Sequence, residues 1–283
     1  MAEWIETYRG SVAPWECDVT EHFTIAYYLD RVDQAASTLA DSLGLADSLR
    51  TGISPRHFNL HFARELRAGD SFHVESAPIG LDPALRLGHR VVDSGSREIV
   101  TWVEEVWGLP SARLSVERRA AIGQQIAVWE GPQTELRPEL RTMAGAIPTA
   151  RGRVKPTDLD VFGCFSLAAF VHRFIDAVLQ ISAAIGMTCE YMKTSRRGFS
   201  TFELGLRITG APQLGDPYLV ETGIAHLGSS SIRLLHRMSD PQTGDELARL
   251  SQFGVQLDLD ARRPAPLLEH IRVAAAPLVL PLD

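Results

Sequence analysis

The sequence predicts an α+β protein of two tandem units, each a long helix packed on an antiparallel sheet, the two forming a pseudo-dimer within one chain. Three observations carry this. At a constant offset of 142, 11 of the 36 residues from Arg9 to Gly44 recur between Arg151 and Gly186, with "RGSVAPWECDV" facing "RGRVKPTDLDV" and "FTIAYYLDR" facing "FSLAAFVHR". The likeness resumes after small gaps, "AGDSFHVES" at 68–76 answering "LGDPYLVET" at 214–222 and "RLGHRVVD" at 86–93 answering "RLLHRMSD" at 233–240. Within a unit, a stripe at helix period gives way to runs that alternate at strand period.

Residues 1–110 are expected to form the first unit. A short strand precedes a helix marked by Ile25, Tyr28, Leu29, Val32, Ala36, Leu39 and Leu43, recurring at three and four residues. Gly44 closes that helix, as Gly186 closes its copy. Phe58, Leu60 and Phe62 then alternate with His57, Asn59 and His61, and "SFHVESAPI", "LRLGHRVV" and "EIVTWVEEVW" follow as strands. Turn signals at Gly69-Asp70, Asp82-Pro83 and Ser94-Gly95 separate them. Residues 111–147 read as a connector with one short surface helix, 148–262 as the second unit, and 263–283 as a tail outside the repeat.

The chain is 45% hydrophobic and 22% charged, an ordinary globular composition. A net charge of −7 and a pI near 5.7 argue against a nucleic-acid or anionic-membrane surface. Cys17, Cys164 and Cys189 are too few and too scattered for a disulfide framework or a zinc site. The opening "MAEWIETYRG" lacks the basic and apolar regions of a signal peptide, so a cytoplasmic protein is expected. The apolar run from Phe165 to Ile185 carries His172, Arg173 and Asp176 near its middle and reads as a buried helix rather than a membrane span.

The chemistry concentrates at the mouths of the two repeated helices. "CDVTEHF" places Asp18 four residues before His22, whereas "LDVFGCF" keeps Asp160 but has Cys164 where the histidine stood. A carboxylate at a helix start is either a base or nucleophile beside unpaired backbone N–H groups, or a plain N-terminal cap. Both readings stand for Asp18 and Asp160. His22 either orients a reacting group or fills the first turn. Cys164 at a helix terminus invites a thiolate, yet an inert buried cysteine fits the absence of a neighbouring histidine better. His57 and His61 share a strand face without a third ligand, and His89 and His236 are equivalent in the repeat, which favours a shared structural role. No G-x-G-x-x-G follows a strand and no G-x-S-x-G occurs, so nucleotide-binding and serine-hydrolase readings have no foothold.

A strand, then D-x-x-x-H at the start of a long helix, then four strands with a "RELRAGD" turn, resembles the hotdog-fold thioesterases of the 4-hydroxybenzoyl-CoA thioesterase group. Their pattern is D-x-x-G-H-x-N followed by an aromatic-rich helix. "DVTEHFTIAYY" keeps Asp18 and His22 but has Glu21 for the glycine and Thr24 for the asparagine. "DVFGCFSLAAF" keeps Asp160 and Gly163 but has Cys164 and Ser166 at the other two places.

The resemblance implies two tandem hotdog units whose sites lie between the halves. It implies hydrolysis of a small or medium acyl thioester of coenzyme A or acyl carrier protein, with no metal or organic cofactor. Asp18, His22 and Asp160 are then the catalytic candidates. Glu21, Phe23, Thr24, Gly163, Cys164 and Ser166 are the substrate-binding candidates, with backbone N–H groups near Glu21–Phe23 or Gly163–Phe165 receiving the oxyanion. The four altered positions also suit a non-catalytic acyl-thioester binding protein. The hydratase branch, D-x-N-P-x-H, has the wrong spacing. Exposed edges leave open a homodimer of two such pseudo-dimers.

Overall fold

The computed structural model describes residues 3–18, 20–50, 56–110, 113–133, 142–261 and 263–281. Parts of the expected connector (111–112 and 134–141) and the boundary position 262 lie outside the described residues. The first half runs β1 (Ile5–Ser11), α1 (Ile25–Ser42), α2 (Ala46–Arg50), β2 (Arg56–Phe62), β3 (Ser71–Gly80), β4 (Ala84–Asp93) and β5 (Ile99–Pro110). A short helix, α3 (Val116–Gly123), stands in the connector. The second half repeats the order as β6 (Ile147–Arg153), α4 (Leu167–Ala184), α5 (Cys189–Ser195), β7 (Arg197–Ile208), β8 (Pro217–Leu227), β9 (Ser231–Ser239) and β10 (Glu246–Asp258).

The strands form one sheet in the order β1-β3-β4-β5-β2-β7-β10-β9-β8-β6. The halves join through β2 and β7, which pair antiparallel with Phe58 opposite Leu206 and Leu60 opposite Leu204. Alternation at period two turns Phe58, Leu60, Leu204 and Leu206 to one face, where α1 and α4 lie against each other. Leu29, Val32 and Ala35 of α1 share a single buried cluster with Val171, Phe174 and Ala177 of α4. Each large apolar side chain so enclosed contributes about 1.5–3 kcal/mol. The core belongs to both halves, and the chain is a pseudo-dimer of tandem hotdog units.

Two details repeat with the sequence. Glu16 is buried and accepts from Ala13 N–H at 2.9 Å while pairing with Arg31, and Asp158 accepts from Lys155 N–H at 2.8 Å while Arg173 donates to it at 2.9 Å. These carboxylates tie each loop to its helix. His89 and His236 are both fully buried, each with Nδ1 2.7 Å from a hydroxyl, of Ser76 and Thr222 respectively. The tail outside the repeat packs onto the second half. After β11 (Arg263–Pro264), which pairs with β10, helix α6 (Glu269–Ala275) buries Ile271 and Ala275 against Ile224 of β8 and Ile232 of β9. Its apolar spacing was too short to stand out in the sequence.

α4 is long and apolar enough to cross a membrane by length and composition alone. Here it packs against α1, β6 and β8.

Candidate active site

The loop before α1 is built around Asp18. Its N–H donates to His22 O at 2.8 Å, and its carbonyl accepts from Glu21 N–H at 3.0 Å. Its Oδ1 accepts from the Thr20 N–H at 2.8 Å, the Thr20 hydroxyl at 2.6 Å and the His22 N–H at 3.2 Å. The Asp160 loop is closed the same way, Oδ1 accepting from Phe162 N–H at 2.8 Å and Cys164 N–H at 2.9 Å. Glu21 therefore adopts the left-handed backbone of the glycine it replaces, φ +65° against +78° at Gly163. Its side chain is exposed and does not line the cavity described below.

The loop is stitched to the turn after β2. Phe23 N–H donates to Leu66 O at 2.8 Å, and His22 bridges Arg67. That stitching brings Glu65 to the histidine, with Oε2 3.1 Å from His22 Nε2 and Arg67 Nη2 3.5 Å from the same nitrogen. On the ring's other side, His22 Nδ1 lies 3.0 Å from Thr20 Oγ1. Since the threonine proton is given to Asp18, Oγ1 is left to accept, and Nδ1 carries a hydrogen. A proton between Nε2 and Oε2 completes an Asp18–Thr20–His22–Glu65 chain, which ends on a carboxyl group one-third exposed. Thr20 and Glu65 were not singled out from the sequence. The Glu65 signal lies in the "RELRAGD" turn, 43 residues after His22.

Behind this chain opens a cavity of about 340 Å³ between the halves. Asp18, Thr20, His22, Thr24 and Glu65 form its polar mouth. Val171, Phe174, Ile175, Val178, Leu179 and Ser182 line one wall, a helix-period stripe of α4 about 16 Å long at 1.5 Å per residue. Met187, Met192 and Phe199 lie at its far side, and Leu204, Leu250 and Gln252 come from the sheet. Phe23 is buried in the core and touches the same space. A surface depression of about 470 Å³ along β6 and α4 holds none of the predicted site residues.

The backbone donors sit differently from the sequence expectation. The N–H groups of Glu21, His22 and Phe23 are already spent within the loops, as is that of Gly163, which donates to Asp160 O at 3.1 Å. At the start of α1, Thr24 makes no side-chain cap, so the N–H groups of Ile25 and Ala26 have no partner among the described residues. Ile25 lines the cavity. At α4, Ser166 does cap, accepting from Ala169 N–H at 3.1 Å.

The mirrored space of the second loop is occupied by charge. Arg56 Nη2 lies 2.8 Å from Asp33 Oδ1, and Arg56 Nε and Nη2 lie 2.8 and 2.6 Å from Glu105 Oε1, which also accepts from Trp107 Nε1 at 2.6 Å. Burial raises the Asp33 pKa, Arg56 opposes that, and Glu105 and Asp160 push it up further. Burial would raise Glu105 too, but Arg56 and His89 outweigh it and hold the carboxyl below its usual range. Gly163, Cys164 and Ser166 stand on this side, and none of them lines the 340 Å³ cavity. Burial, and secondarily Asp160, pushes the Cys164 thiol up, which disfavours a thiolate. Among the described residues no group of three His, Cys, Asp or Glu is gathered for a metal.

Residues 154–275 match the model of the thioesterase-like superfamily. No curated protein matches the sequence. Among solved structures, a Lactobacillus plantarum protein assigned as an oleoyl thioesterase is 13% identical with a TM-score of 0.69, covering 90% of this chain and 96% of its own. An acyl-ACP thioesterase from Bacteroides thetaiotaomicron is 12% identical with a TM-score of 0.63, covering 87% and 96%. The 12:0-ACP thioesterase of Umbellularia californica is 16% identical with a TM-score of 0.62, covering 91% and 93%. At these identities the structures speak for the fold, whose two tandem units they share along nearly their whole length. The chain has the tandem double-hotdog fold, and its second half, over residues 154–275, matches the thioesterase-like superfamily.

Proposed function

We propose that this protein hydrolyses an acyl thioester at the mouth of the cavity between its halves. The observation that carries the reading is the His22–Glu65 pair, 3.1 Å apart, at the polar entrance of a mostly apolar slot. Glu65 takes a proton from the attacking water, whose oxygen bonds to the thioester carbon. The oxyanion so formed is received by the unpartnered N–H of Ile25 at the positive end of α1. Collapse breaks the C–S bond, and the proton passes from the Glu65–His22 pair to the departing thiolate, releasing acid and thiol. Asp18 acts through Thr20, fixing the histidine's tautomer and orientation. It is a positioning residue in this scheme, and Asp160 has no part in it.

Coenzyme A and acyl carrier protein both remain candidate carriers. The carrier-protein thioesterases among the structural neighbours support the second. The test is thiol release from acyl-CoA and acyl-carrier-protein panels. Glu65→Gln is expected to lower kcat about 10²–10⁴-fold, the range for loss of a general base, and Asp160→Asn to leave release intact. Tight binding with no release from any thioester would instead favour an acyl-binding protein, the reading to which the altered second loop lends support.

A further inference from the structure

The cavity has a second polar feature, remote in sequence from its mouth and unused by the proposed chemistry. Gln252 of β10 is 7% exposed and lines the cavity beside Thr201 of β7. Its Nε2 donates to Thr201 Oγ1 at 2.6 Å, and this is its one side-chain hydrogen bond among the described residues. Gln252 Oε1 is thereby left as an acceptor and the Thr201 hydroxyl hydrogen as a donor. That oxygen is not sealed in the core but open to the cavity, where only solvent or a bound group can pair with it.

The repeat gives this pair a counterpart. His89 faces Val103 across the sheet and His236 faces Leu250, which puts Gln252 where the first half has Glu105. Glu105 Oε1 takes hydrogen bonds from both Arg56 and Trp107, and no free capacity is left on that atom. In the second half the position of Trp107 is held by Gly254, where any Cβ would meet the Phe199 ring at 2.3 Å. The partners have gone, the polar residue has stayed, and open cavity stands before it.

We infer that Gln252 and Thr201 select an acyl group bearing a hydroxyl along its chain. A hydroxyl donates to Gln252 Oε1 and accepts from Thr201 Oγ–H in the same contact, whereas a ketone can only accept and a methylene does neither. The inference rests on the cavity being the acyl site of a thioesterase, and the experiment separates the two. Non-hydrolysable thioether analogues of acyl-CoA, matched in length with and without a hydroxyl at each of several positions, are titrated calorimetrically against wild type, Gln252→Met and Thr201→Val. Hydrolysis of the corresponding thioesters is followed in parallel.

At one hydroxyl position the wild type is expected to bind about tenfold tighter than to the plain chain, the worth of one net hydrogen bond. Both variants should reduce that ratio to near unity, and thermal melting confirms that each is folded. A hydroxyl preference without turnover would retain the anchor and reject the hydrolase. Turnover with no preference at any position, a ratio unmoved by both variants, or no binding of any analogue would overturn the anchor.

Discussion

Replacing Glu21 by glycine should stabilise this protein. Glu21 has φ +65°, a conformation that costs an L-residue about 1–2 kcal/mol and costs glycine little. The side chain is exposed and makes no hydrogen bond among the described residues, so its removal surrenders little in return. A gain of about 1 kcal/mol follows, worth roughly 2 °C of Tm in a chain of this size. The second loop supplies the control, because Gly163 has φ +78° and a Cβ placed there would meet nothing within 4 Å. Gly163→Ala therefore tests conformation free of crowding and should lower Tm by about the same 2 °C. Differential scanning fluorimetry on both variants and their double mutant reads the pair, which should be additive. A Tm that falls in Glu21→Gly, or stays level in Gly163→Ala, would mean that contacts rather than backbone strain govern these loops.

Three further outcomes follow from the same geometry. Arg56→Met strands the fully buried Glu105 and the neighbouring Asp33 without their cation, and urea unfolding should show a loss of about 3–5 kcal/mol. Ser182→Phe fills the stretch of cavity beyond Val178 and Leu179, so hydrolysis or binding of long acyl chains should fall at least about tenfold relative to short ones. Equal loss across all lengths would place the chain elsewhere. His236 is held neutral by burial, its pKa pushed down from 6.5 to about 3. The unfolded chain takes up a proton that the folded one refuses, so this contribution is whole above pH 6.5 and drains away down to about pH 3, at up to about 1.4 kcal/mol per pH unit. The slope of urea midpoint against pH in that window should flatten in His236→Gln.

Duplication makes much of this molecule legible without coordinates. An offset of 142 is enough to align Asp18 with Asp160, to expose histidine against cysteine, and to predict α1 and α4 from a shared stripe. What escapes is whatever depends on contact between distant segments. Glu65 meets His22 only because the turn after β2 is laced to the loop before α1, and no local spacing encodes that lacing. The backbone donors shifted from Glu21–Phe23 to Ile25 because Asp18 and Leu66 had already claimed the earlier N–H groups. Nor does one strand's sequence reveal that Glu105 Oε1 is held by Arg56 while its counterpart Gln252 has only Thr201, since those partners sit on other strands.

The seam between β2 and β7 has an evolutionary consequence. In a dimer of identical subunits every substitution is made twice, so a mutation that brings Arg56, Asp33 and Glu105 together in one slot puts the same obstruction in the other. Covalent fusion lifts that coupling. One of the two slots was free to fill with a buried ionic cluster while the other kept a mouth, a tunnel and a carboxylate, with both halves still sharing one core. Splitting this chain at its connector and pairing two copies of either half would therefore produce two different molecules. Two second halves would have the tunnel wall with no His22 or Glu65 to face it, and two first halves the machinery with nowhere to put the chain.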